Sequence, residues 1–173
     1  AAFCLTNGLP GDSIADFVGP LGMPQHVDKV GHVVLVGGGL GVAPVYPQLR
    51  AFKEAGNRTT GIIGFRNKDL VFWEETFGRY CDNLIVCTDD GSYGKPGFVT
   101  AALQEVLDND RPDLVIAIGP LPMMNACVET TRPSGVKTMV SLNAIMVDGT
   151  GMCGSCRVTV GSEIKFACVD GPD

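Results

Sequence analysis

The chain has 173 residues, 45% of them hydrophobic and 18% charged, which suits one domain with a small appendage and a real core, and excludes bulk disorder. Thirteen Lys and Arg against nineteen Asp and Glu give a net charge of −6, which excludes the clustered cations of a nucleic-acid groove. No apolar run reaches the length of about 18 residues that a membrane-crossing helix needs, and Ala1-Ala2-Phe3-Cys4 lacks the basic-then-apolar pattern of a signal peptide.

Residues 1–31 read as loop, punctuated by Gly8, Pro10, Gly11, Gly19, Pro20, Gly22 and Pro24. A strand over 32–36 follows and ends in glycines. Residues 44–55 read as a helix stopped by Gly56. Further strands are expected at 59–65, 83–88, 114–118 and 137–140. Helices are expected at 69–77, 97–107 and 121–131. Five apolar strands alternating with helices are βαβ units, and strands buried on both faces suit a parallel sheet. Right-handed crossovers then give an α/β three-layer sandwich with a five-stranded parallel sheet. Beyond 140 the helical period stops, and Arg157 to Phe166 reads as a hairpin turning at Gly161-Ser162.

In open α/β sheets ligands bind beyond the carboxyl ends of the strands. The loop after the first strand is Gly37-Gly38-Gly39-Leu40-Gly41-Val42-Ala43-Pro44. Glycines let the backbone approach a phosphate, and the helix that opens there offers free N–H groups. The spacing departs from G-x-G-x-x-G, because Val42 occupies the third glycine position, and no Gly-Lys-Ser/Thr follows. Nucleotide binding and a plain tight turn both fit this loop. Arg66 and Asn67 after the second strand suit a ribose or phosphate, or a solvated polar turn. Asp89, Asp90, Gly91 and Ser92 after the third strand form a loop too long and polar for a minimal turn. Gly119, Pro120, Leu121, Met123 and Met124 follow the fourth strand; the methionines suit either a flat aromatic ligand or the core.

Seven cysteines, an odd number without a regular framework, suit a reducing cytoplasm. Cys87 and Cys127 lie in apolar segments and read as core. Cys153, Cys156 and Cys168, with Asp148 ahead of them, form Asp-x4-Cys-x2-Cys-x11-Cys. That is a plant-type iron–sulfur spacing with a carboxylate in the first position. A structural zinc site takes the same donors, and three ordinary thiols are the remaining reading.

These segments together resemble the ferredoxin–NADP+ reductase-like electron-transfer subunits. The resemblance is carried by Gly19-Pro20-Leu21-Gly22, Gly37 to Pro44, Thr88 to Gly94, Ile118 to Met124 and Met146 to Cys156. Within the family the chain is most similar to small subunits of NADH-dependent reduced ferredoxin:NADP+ oxidoreductase (sulfide dehydrogenase). Dihydroorotate dehydrogenase and sulfhydrogenase subunits are relatives, and the dihydroorotate type has Cys where Asp148 stands.

The resemblance implies an NAD(P)H-binding domain over 32–140 and a [2Fe–2S] lobe over 141–173 held by Asp148, Cys153, Cys156 and Cys168. FAD belongs on an amino-terminal barrel that this chain lacks, so residues 1–31 are expected to be a linker remnant, with only Gly19 to Gly22 from the flavin side. Hydride passes from nicotinamide to flavin, and single electrons pass through the cluster to a larger oxidoreductase subunit, with ferredoxin as a further partner. The isolated chain is expected to be an inactive fragment, its lobe truncated at Asp173. Ile118 stands where many relatives have a Cys that meets the nicotinamide. The competing expectation is a nucleotide-binding regulatory module with a structural zinc tail.

Overall fold

A computed structural model describes residues 11–13 and 18–173; Cys4 and the other expectations for 1–10 and 14–17 lie outside the described residues. The sheet has six parallel strands rather than the expected five. They are β1 (His32–Gly38), β2 (Arg58–Phe65), β3 (Asn83–Thr88), β4 (Lys95–Pro96), β5 (Leu114–Ile118) and β6 (Lys137–Val140), in the order β4-β3-β2-β1-β5-β6. The additional strand, β4, is two residues long and pairs Lys95 and Pro96 with Cys87 and Thr88. It is too short to show a period, and its proline is tolerated because the strand lies at the sheet edge.

The apolar run of β1 divides by parity, because successive side chains in a strand point to opposite faces. Val33 and Leu35 enter one core cluster, while Val34 and Val36 enter the other. The first face is covered by helix α1 (Val42–Glu54) through Val42, Val45, Leu49 and Phe52, and by Phe77 of α2 (Glu74–Gly78). The second is covered by α3 (Val99–Asn109) through Val99, Ala102, Leu103 and Leu107, and by Cys127 of α4 (Leu121–Thr131). Both faces being covered is what an all-parallel sheet requires. Cys87 and Cys127 lie in this core, as expected.

One expected helix is largely absent. Residues 69–77 form a 3-10 turn at Lys68–Leu70, an extended stretch, and only then α2. Tertiary packing overrides local propensity here. Phe72 meets Phe65 edge-on at 5.4 Å, and Trp73 tilts against Tyr46 at 5.7 Å. Trp73 is left-handed, with φ +60, a conformation that costs a non-glycine residue about 1–2 kcal/mol. The aromatic contacts offset that cost.

The amino-terminal edge of the sheet is tied by polar groups. His32, 5% exposed, places Nε2 2.9 Å from Thr60 Oγ1. Its backbone N–H donates to the Asp113 carboxylate at 2.8 Å. Arg58 pairs with Asp110, whose carboxylate stands 3.6 Å from His32 Nδ1. Burial, and then the Arg58 charge, push the imidazole below its usual 6.5, against the opposing pull of Asp110 and Asp113. The folded imidazole therefore stays neutral where the unfolded one takes a proton. Stability should fall as pH drops below 6.5 and level off once the folded pKa is passed. Denaturant midpoints measured between pH 7.5 and about 5 should show this slope, and His32→Gln should flatten it.

The carboxyl-terminal lobe holds the expected hairpin, β7 (Arg157–Val160) and β8 (Glu163–Phe166), with Arg157 opposite Phe166 and Val160 opposite Glu163. Gly161 takes φ +62 in the two-residue turn, the conformation that turn chemistry demands. A four-residue helix, α5 (Ala167–Asp170), follows and carries Cys168. The lobe is joined to the sheet domain by Ser141 N–H donating to Ala117 O of β5 at 3.3 Å, and is closed on itself by Leu142 N–H donating to Pro172 O at 2.9 Å.

Candidate functional site

The chain enters the sheet at β1, runs outward through β2, β3 and β4, then crosses to β5 and β6 on the other side. The reversal lies between β1 and β5, and a crevice beyond their carboxyl ends is the ligand position of such sheets. Gly37 pairs with Ile118 across this junction.

The glycines of the first loop have different physical reasons. A Cβ on Gly41 would meet the Ile118 carbonyl carbon at 2.7 Å and Gly119 Cα at 2.8 Å. A Cβ on Gly37 would meet Val42 Cα at 3.0 Å, and one on Gly38 would overlap Met123 Sδ. These three glycines allow the protein to pack on itself. Gly39 is different: it is left-handed at φ +55, and a Cβ there would meet nothing within 4 Å. It is the open glycine of the loop. Leu40 is exposed beside it, Val42 is buried, and Ala43 and Pro44 lie in the first turn of α1.

Across the crevice, Gly119 and Pro120 lead into α4, where Leu121 is exposed and Met123 half-buried. The two methionines part company, because Met124 is 1% exposed and belongs to the interior.

The loops after β2 and β3 are stitched together. Asp89 N–H donates to Phe65 O at 3.0 Å and Asp90 N–H to Arg66 O at 3.2 Å. Ser92 donates its hydroxyl to Asp90 Oδ1 at 2.6 Å and accepts Lys68 N–H at 2.8 Å. The Ser92 hydroxyl, then its backbone N–H, hold the Asp90 carboxyl below the usual carboxylate range. Gly91 is left-handed at φ +72. Asn67 Oδ1 is buried and accepts no hydrogen bond. Glu74, outside the sequence reading, completes this corner: Tyr93 donates its phenol to Glu74 at 2.9 Å, and that carboxylate raises the phenol pKa. They stand 19 residues apart, a separation without a sequence signal.

In the lobe, Cys156 and Cys168 are buried and adjacent: Cys168 N–H donates to Cys156 Sγ at 3.4 Å. The Cys156 side chain, then burial, raise the Cys168 thiol, and the Asp148 charge adds to the rise. Asp148 accepts Thr150 N–H at 2.8 Å and Cys153 N–H at 2.7 Å, bonds that lower its carboxyl. Cys153 is exposed and lowered by hydrogen bonding with Ser155. Among the described residues no group of three or more His, Cys, Asp or Glu is gathered closely enough to hold a metal ion. The four donors nevertheless share one lobe as two linked pairs, and three soft thiolates with one harder carboxylate fit a cluster in number and charge.

The chain's residues 35–129 match the oxidoreductase NAD-binding domain, and residues 143–173 match the iron–sulfur cluster binding domain of dihydroorotate dehydrogenase B. The dihydroorotate dehydrogenase B (NAD(+)) electron transfer subunit homolog of Thermotoga maritima is 52% identical over 163 residues, 94% of this chain and 57% of that protein. The electron transfer subunit of Shouchella clausii is 39% identical over 91% of this chain and 61% of its own. A solved structure of an NADH-dependent reduced ferredoxin-NADP oxidoreductase, studied for flavin-based electron bifurcation, is 50% identical with a TM-score of 0.86, covering 97% of this chain and 60% of that one. The chain thus spans about three fifths of these relatives. The iron–sulfur match disfavours the structural-zinc alternative. With its open glycine at the β1/β5 crevice and its thiols in a separate lobe, the chain belongs to the oxidoreductase NAD-binding domain family and carries an iron–sulfur binding domain at its carboxyl end.

Proposed function

We propose that this chain is the dinucleotide- and cluster-bearing part of an electron-transfer flavoprotein subunit, with 32–140 binding NAD(P)H and 141–173 binding a [2Fe–2S] cluster. The carrying observation is the crevice between β1 and β5, where Gly39 alone turns an open, left-handed backbone outward. Its N–H and those of the first turn of α1 receive the pyrophosphate. Arg66 and Asn67 contact the adenosine side; Asp89 to Ser92, with Gly119 and Pro120, frame the ribose and the nicotinamide. Orientation is what hydride transfer asks of a protein, more than a side-chain acid or base. Asp148, Cys153, Cys156 and Cys168 would hold the cluster, which supplies one-electron transfer when bound.

FAD belongs to a further domain of the whole protein. Gly22 is close-packed: a Cβ on it would stand 2.8 Å from Gly171 O and 3.5 Å from Cys168 O. The segment similar to the flavin side of the family therefore lies against the thiol lobe. The partner is a larger oxidoreductase subunit, with ferredoxin as a further one, and the compartment is the cytoplasm. No helix among the described residues is long and apolar enough to cross a membrane.

An anaerobic visible spectrum should show bands that bleach with dithionite; a colourless, zinc-containing protein would refute the cluster. Gly39→Asp places a carboxylate where the pyrophosphate sits. It should weaken NADH binding at least about tenfold, or 1.4 kcal/mol, while the protein stays folded. Unchanged affinity in a fluorescence titration would sink the pyrophosphate assignment.

A further inference from the structure

The loop after β3 is held at its neck, at its tip and by one long reach. The buried Thr88 hydroxyl donates to Tyr93 O at 2.6 Å and accepts Tyr93 N–H at 3.0 Å, which closes the neck. The tip is tied to the loop after β2 through Asp90 N–H on Arg66 O and Lys68 N–H on Ser92 Oγ. The long reach is the Tyr93 side chain. Its phenol donates to Glu74 Oε2 at 2.9 Å and stands 3.2 Å from Oε1, so the hydroxyl is seated across the carboxylate. Lys68 Nζ lies 5.8 Å from the ring centroid, within the range of a cation–π contact. Glu74 opens α2, directly after the left-handed Trp73. The loops after β2 and β3 and the start of α2 therefore meet around one phenol. The next residue, Glu75, carries the same charge but is exposed.

We propose that Glu74 is a positioning residue for dinucleotide binding, acting through the Tyr93 phenol to fix the loop that frames the ligand, an inference that rests on the dinucleotide reading above. Immobilising a loop on binding costs free energy, and a loop already fixed spares that cost. Glu74 needs only an acceptor oxygen for this, because the phenol is the donor. Its charge works the other way. A dinucleotide is an anion, so a carboxylate near it opposes binding by Coulomb repulsion. Charge and position therefore act with opposite signs, and a substitution that removes Glu74 reveals which prevails.

That opposition defines the test. NADH is titrated by fluorescence into the intact, cluster-loaded protein. Glu74→Ala should weaken NADH binding about fivefold, whereas loss of a negative charge alone would tighten it. Glu74→Gln keeps an acceptor oxygen without the charge and should bind at least as well as wild type. Tyr93→Phe removes only the hydroxyl and should match Glu74→Ala. The double variant should lose no more than either alone, because both remove one interaction. Glu75→Ala, which removes the neighbouring charge, should stay within about twofold of wild type. Amide hydrogen exchange over 89–94 should quicken in Glu74→Ala and Tyr93→Phe but not in Glu74→Gln. Should Glu74→Ala not fold, Tyr93→Phe carries the test, because it keeps the ring. Unchanged or tighter NADH binding in Glu74→Ala or Tyr93→Phe would overturn this inference alone. So would a Glu74→Gln or Glu75→Ala as weak as Glu74→Ala, multiplied losses in the double variant, or unaltered exchange across the loop. A wild-type protein that binds no NADH would overturn the dinucleotide reading and this inference with it.

Discussion

Gly41→Ala should cost about 3 kcal/mol or more, enough to unfold a marginally stable chain. The new methyl would meet the Ile118 carbonyl carbon at 2.7 Å and Gly119 Cα at 2.8 Å. Both obstacles are backbone, so no rotamer change relieves them. Yielding would mean parting the β1–α1 turn from the end of β5, and β5 is the neighbour that pairs Val33 through Gly37 of β1. The informative comparison is Gly39→Ala, two residues away. Its methyl would meet nothing within 4 Å, leaving only the left-handed backbone to be endured, about 1–2 kcal/mol. Chemical denaturation of the two variants separates them. Equal midpoints would mean that the loops are not packed as described.

Replacing Cys156 or Cys168 by Ser should abolish the visible absorbance and remove essentially all cluster-bound iron. The two residues are adjacent and buried, Cys156 at 1% and Cys168 at 5% exposure, so no neighbouring side chain can step in from solvent. Serine is a poor replacement because a cluster is held by ionised sulfur. Cys127→Ala is the control: that thiol is 0% exposed within the sheet core and pushed up to about 12 by burial. Iron content and spectra should match wild type there. A Cys156→Ser protein that keeps its colour would remove that residue from the ligand set.

Much of this is legible in the amino-acid sequence. The run Val33 to Val36 announces a strand buried on both faces, because a sheet with helices on both sides leaves no polar parity. The Cys153, Cys156 and Cys168 spacing, with Asp148 ahead of it, narrows the tail to an iron–sulfur cluster, a structural zinc site or ordinary thiols, since thiolates bind both metals. The hairpin was readable from Gly161-Ser162 between two short strands. Strand β4 was not, because two residues carry no period. The helix expected over 69–77 shrinks to α2 because Phe72 and Trp73 are settled by Phe65 and Tyr46, residues distant in the chain.

The amino-acid sequence by itself determined the βαβ order, the position of the glycine-rich loop after β1, and the gathering of three thiols in the last residues. Each of those depends on neighbours in the chain, through strand parity, helix period and motif spacing. Only the tertiary structure decided which glycine does what. Gly37, Gly38, Gly39 and Gly41 look alike in sequence, yet three are pressed against Val42, Met123 and Ile118 and one faces outward. It also decided that Met123 lies across the crevice while Met124 is buried. Close packing is a property of surfaces brought together from distant parts of the chain, and no local pattern encodes which surfaces meet.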